Sequence, residues 1–158
     1  MSSNDVTPLA QQPLNLRCLA LTGTFETSVP PPGCFGCVTG DFDGQGISYS
    51  ALQWNFGQST LQPLLKEVTT LHRDVMGRVF GDLFTELSGV FTMPHSRQME
   101  WIRSIQSVQH ALDDRWRGCF HALGETAEFQ SRGMRLRSST AHWHCAAPMA
   151  SHRNARRH

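Results

Sequence analysis

The sequence predicts an α+β domain dominated by helix, and three observations carry that prediction. Apolar residues recur at helical spacing before Glu26 and again from about Ser59 to Gly124. Between Cys34 and Leu52 that period vanishes into glycines and one strand-like stretch, Ile47-Ser48-Tyr49. No segment repeats, and 158 residues suit one domain with a core of its own.

The first twelve residues read as a disordered leader. Pro13 suits the first turn of a helix, where its missing N–H costs nothing. Leu14, Cys18, Leu21 and Phe25 then mark one apolar stripe, and Glu26 ends the helix before Val29-Pro30-Pro31-Pro32-Gly33 stops it. Phe35, Val38 and Phe42 follow among glycines, and Gly40 to Gly46 is turn chemistry, so the segment to Leu52 reads as a small irregular β-region with a short hairpin. Gln53 to Gly57 reads as a loop or helical turn. Ser59 is the expected N-cap of a helix through about Phe80, with Leu61, Leu64, Leu65, Val68, Leu71, Val75 and Val79 on its apolar side. Leu83, Phe84 and Leu87 predict a short helix ending at Gly89. Ser96 is the expected cap of another, whose stripe of Met99, Ile102, Ile105, Val108 and Leu112 continues through Trp116, Cys119, Phe120 and Leu123. After Gln130 the periodicity stops, which places the domain at residues 13–130 and a basic, disordered tail at 131–158.

Charge supports that division. The chain carries a formal +1, which favours neither a nucleic-acid nor a membrane-surface partner. Six arginines and no acidic residue fall after Gln130, leaving eight basic against thirteen acidic residues before it, a net of −5. Such a tail suits an anionic polymer, a solvated end, or a translated segment never selected to fold. Its abrupt loss of periodicity favours the last, and with it a truncated gene product. No basic n-region precedes an apolar run and no span is visible, so the expectation is a cytoplasmic protein with reduced thiols. Five cysteines, an odd number, argue against a complete disulfide framework.

Two carboxylates stand out. Glycoside hydrolysis needs one acid that stays protonated and one carboxylate that stays ionised, and proteins separate the two by environment. Glu26 follows Phe25 on an apolar helix, and Asp43 lies in a polar glycine-rich turn. Phe25-Glu26-Thr27-Ser28, then seventeen residues to Asp43, then Asp43-Gly44-Gln45-Gly46-Ile47-Ser48 resembles the bacterial chitosanase family of the lysozyme superfamily. The resemblance covers about residues 14–65. It implies a lysozyme-like fold of helix, small β-region and further helices. It also implies Glu26 as general acid, Asp43 as general base in an inverting reaction, and Ser48 as the hydroxyl that positions the attacking water. Gln45 stands where the family has an arginine. Asp41, Gln45, Trp54 and Asn55, beside the base, are the candidate substrate-binding residues.

The expected activity is cleavage of a β-1,4-linked amino-sugar polymer, peptidoglycan or chitosan, without cofactor or metal; reaching a cell wall would require a holin or a secretion apparatus. The alternative is a domain that binds such polymer without cutting it. Two metal readings are weaker. Asp41-Phe42-Asp43-Gly44-Gln45-Gly46 begins like a calcium loop, but its twelfth position is Leu52 where a bidentate Glu is needed. Cys34-Phe35-Gly36-Cys37 has the spacing of half a zinc site or of a redox dithiol, but the nearest second half of a zinc site is more than a hundred residues away at His142, His144 and Cys145, and the βαβ pattern of a thioredoxin-like motif is absent, so two ordinary small residues in a β-region are expected.

Overall fold

The computed structural model describes residues 9–11, 14–107 and 109–140. Their architecture is α+β and mainly helical. A 3-10 turn at Leu9–Gln11 precedes helix α1 (Leu14–Thr27), and a second, Gly33–Gly36, leads into three two-residue strands. These are β1 (Val38–Thr39), β2 (Ser48–Tyr49) and β3 (Trp54–Asn55), antiparallel in the order β1-β2-β3. Val38 pairs with Tyr49 and Tyr49 with Trp54. Six helices follow: α2 (Leu61–Leu71), α3 (Arg73–Phe80), α4 (Leu83–Val90), α5 (His95–Ser104), α6 (Asp114–Gly124) and α7 (Ala127–Thr140).

The core lies where the helical stripes predict it. Leu61, Leu64, Leu65 and Val68 are fully buried on α2, Met76 and Phe80 on α3, and Ile102 on α5. Tyr49 reaches from the sheet into this core. Its hydroxyl donates to the Phe120 carbonyl at 2.5 Å, and its ring meets Phe120 edge-on at 5.3 Å. Burial pushes the phenol well above its ordinary pKa, so it stays a neutral donor. Trp101 and Trp116 cross edge-to-face at 5.0 Å, which makes both packing residues. A smaller cluster of Cys34, Phe35, Ala51 and Leu52 joins α1 and α7 to the sheet.

Several expectations are corrected. Trp54-Asn55 forms a third strand rather than a loop, because Thr60 Oγ1 accepts from the Asn55 N–H and closes the chain into α2. The long helix expected from Ser59 to Phe80 breaks at His72, whose backbone leaves helical space at φ −135°. The stripe from Met99 to Leu123 is two helices. Gln106 and Leu112 form an isolated bridge between them, and Asp113 caps α6 by accepting from the Arg115 N–H at 2.9 Å. Val108 lies outside the described residues.

Two further corrections bear on function. On α1 the buried side is Ala20 and Gly23, while Leu21 and Phe25 are 58% and 86% exposed. A Cβ at Gly23 would lie 2.7 Å from Cys34 Sγ and 3.0 Å from Ala51, so the helix seats through its smallest residue and turns its larger ones outward. Helical structure also continues past Gln130, where the periodicity stops. Helix α7 continues to Thr140, burying Gly133 and pairing Arg132 with Glu67 at 2.8 Å. The rest of the expected tail, 141–158, lies outside the described residues.

Candidate functional site

The turn between β1 and β2 takes its shape from two glycines and a buried carboxylate. Gly44 and Gly46 both sit at φ +79°, a conformation that side-chain-bearing residues rarely adopt. Asp41, only 6% exposed, accepts from the Gly46 N–H at 2.8 Å and so ties the two ends of the turn together. Helix α5 supplies the other anchors. Arg103 Nε stands 3.6 Å from Asp41 Oδ2, and Gln106, just past the helix, accepts the Asp41 N–H at 2.7 Å. Asp41 is therefore a structural carboxylate, engaged on both oxygens. Gln45 is exposed, and its backbone carbonyl accepts from the Gly57 N–H.

This clamp presents Asp43 to solvent. One carboxylate oxygen, Oδ1, accepts from the Gln45 N–H at 3.0 Å, and Oδ2 accepts from no group among the described residues. On β2, half-buried Ser48 accepts from Asn55 Nδ2 at 2.9 Å. Asn55 Oδ1 accepts in turn from the Gln58 N–H at 3.0 Å, which fixes the amide's orientation. The Ser48 hydroxyl donates to no acceptor among the described residues. Asn55 itself is buried and its amide is spent on internal bonds.

The side chains of Glu26 and Trp54 take no part in the hydrogen bonds that hold the turn. Glu26, at the end of α1, is exposed, and no hydrogen bond or ion pair ties its side chain to the described residues. Phe25 stands in solvent and does not enclose it, contrary to the expected apolar setting. Trp54 is half-buried against both core clusters, and its Nε1 is buried without a hydrogen-bond partner among the described residues. It packs as framework more than as an open platform. Asp41, Asp43, Gln45, Ser48 and Asn55 are brought together by the turn and the sheet.

Two aromatic residues acquire a role that the sequence reading did not give them. Phe42, beside Asp43, is 69% exposed, and Phe25, beside Glu26, is 86% exposed. Phe42 lies 6.5 Å from the His110 ring, centroid to centroid. Each candidate carboxylate thus stands next in sequence to an exposed phenylalanine. Two concavities, of about 300 and 350 Å³, lie elsewhere: one between the 3-10 turn and α6, the other between His72 and α7. Among the described residues no cluster of three or more His, Cys, Asp or Glu side chains is placed to hold a metal ion, and no helix is long and apolar enough to cross a membrane. No family model, curated protein or solved structure matches the chain.

Proposed function

We propose that the chain acts on β-1,4-linked amino-sugar polymer, peptidoglycan or chitosan, as a glycoside hydrolase of lysozyme-like fold. Glu26 is the general acid, Asp43 the general base, and Ser48 holds the attacking water. The observation that supports the reading is that Glu26 and Asp43 are both exposed and each follows an exposed phenylalanine, Phe25 and Phe42, in the sequence. Flat apolar rings stack on sugar faces at small entropic cost, and carboxylates beside them meet the glycosidic oxygen and the water. The order helix, small antiparallel sheet, helices adds support.

A second reading, binding without cleavage, is favoured by one observation. Glu26 is exposed, and Phe25 beside it in the sequence stands in solvent, so the described residues form no closed apolar pocket around this carboxyl. Pelleting with chitosan and with peptidoglycan, run beside an assay for released reducing ends, separates the two. Cleavage supports the hydrolase; binding with no released ends supports the binding domain; neither binding nor cleavage rejects both.

Phe25→Ala and Phe42→Ala should each weaken polymer binding roughly 5- to 15-fold, the equivalent of about 1–1.5 kcal/mol of stacking. Melting temperature should hardly change, because both rings are exposed. Wild-type binding by both variants would move the carbohydrate surface elsewhere.

A further inference from the structure

Cys34 and Cys37 are brought together by backbone geometry that the glycosidase reading does not use. They stand three residues apart across the 3-10 turn Gly33–Gly36, with Cys37 as its C-cap. In such a helix residues i and i+3 eclipse, and three rises of about 2.0 Å separate their Cα atoms by roughly 6 Å. That distance lies inside the window of about 4.4–6.8 Å for a disulfide. Both cysteines are also pinned to one dipeptide. The Cys34 carbonyl accepts from the Ala51 N–H at 3.0 Å, and the Cys37 carbonyl from the Ser50 N–H at 2.7 Å. Because Ser50 and Ala51 are consecutive, the two cysteines are held over a single peptide step.

Their exposures differ in a useful way. Cys37 is half-buried, its thiol donates to the Gly33 carbonyl at 3.8 Å, and the residue lines the open concavity of about 300 Å³ with Arg117, Gly118 and His121, a route by which a small molecule approaches it. Cys34 is fully buried behind it. Burial, with Cys37 adding to it, pushes the Cys34 thiol up, so Cys34 is not the thiol that reacts first.

We infer that Cys34 and Cys37 form a redox-active dithiol, oxidised by a low-molecular-weight disulfide, whose closure loosens the seat of α1. Cys37, as thiolate, attacks one sulfur of the small disulfide. A mixed disulfide forms and one small thiolate leaves. Cys34 gives up its proton and attacks Cys37 Sγ, forming the intramolecular bond and expelling the second small thiolate. Two protein thiols are oxidised, one small disulfide is reduced to two thiols, and the two protons pass to the leaving groups. The structural consequence follows from Gly23, whose α1 backbone packs against Cys34 Sγ. Turning that sulfur toward Cys37 withdraws it from the α1 contact. The effect on Glu26 that would follow rests on the glycosidase reading; the chemistry does not.

The test uses the full chain with Cys18→Ser and Cys145→Ser, leaving Cys119 as an internal control. After treatment with oxidised glutathione, intact mass should fall by two hydrogens. Alkylation in denaturant should be lost at Cys34 and Cys37 but not at Cys119, and dithiothreitol should restore it. Backbone hydrogen exchange over residues 14–27 should speed up at least several-fold in the oxidised form. Adding Cys34→Ser should trap a lasting glutathione adduct on Cys37. If that variant does not fold, Cys37→Ser serves instead and should leave Cys34 unreacted. Full alkylation of both thiols after treatment, or an adduct persisting on Cys37 while Cys34 is present, would overturn the dithiol. Unchanged exchange in α1 would overturn its coupling to the helix.

Discussion

Glu26→Gln should lower cleavage of chitosan or peptidoglycan by about 10²–10⁴-fold, the range for loss of a general acid. The melting temperature should stay where it is, because the side chain is exposed and bonded to nothing among the described residues. Amide and carboxyl have nearly the same shape, so polymer binding should survive. A substrate with a good leaving group should recover much of the rate, since such a group departs without a proton. Asp43→Asn should lose a comparable factor for a different reason. Its amide oxygen can still accept from the Gln45 N–H, so the turn persists. The attacking water would lack a base, and a better leaving group would not help. Azide, which needs no deprotonation, should restore part of the rate. Ser48→Ala should cost less than either, because it removes one hydrogen bond to the water and no proton transfer. A wild type that binds polymer and releases no ends would instead establish the binding reading. Equal rates for both carboxylate variants and an active wild type would place the catalytic residues elsewhere.

What the sequence made legible divides along the range of the interactions. The helices of the core were readable because their cause is local. Leu61, Leu64, Leu65 and Val68 mark one face of α2, and all four are buried. The turn around Asp43 was readable for the same reason, since Gly44 and Gly46 permit the positive φ that it needs. The Asp41 clamp was not, because its partners come from α5 and just beyond it, 65 residues away in the case of Gln106. Glu26 illustrates the other failure. The apolar spacing of Leu21 and Phe25 pointed to a buried face, yet Gly23 decides which side of α1 approaches the sheet. A helix seated through glycine carries no signal in a hydrophobic pattern.

Helix α7 is a second case of that kind, and it leads to the other large effect. A chain ended after Gln130 should be less stable by roughly 3–5 kcal/mol, lowering the melting temperature by roughly 10–20 °C. Only four residues of α7 would remain, and a single helical turn does not persist without tertiary support. Phe129, which is 1% exposed, would then lose its place between the sheet and α6. Met134 packs on the smaller cluster and would be lost outright. Arg132 would leave Glu67 unpaired, a lesser term because both side chains keep partial access to water. Hydropathy misses this segment because its contact with Leu52, Trp54 and Leu64 runs through Gly133. The same glycine supplies a control of opposite sign. A Cβ there would meet its nearest neighbours at 3.6 Å, ordinary contact. Gly133→Ala should therefore stabilise the protein by about 1 kcal/mol through helix propensity. If the shortened chain melts with the full-length protein and Gly133→Ala changes nothing, residues 131–140 do not pack, and the domain ends at Gln130 as its loss of periodicity predicts.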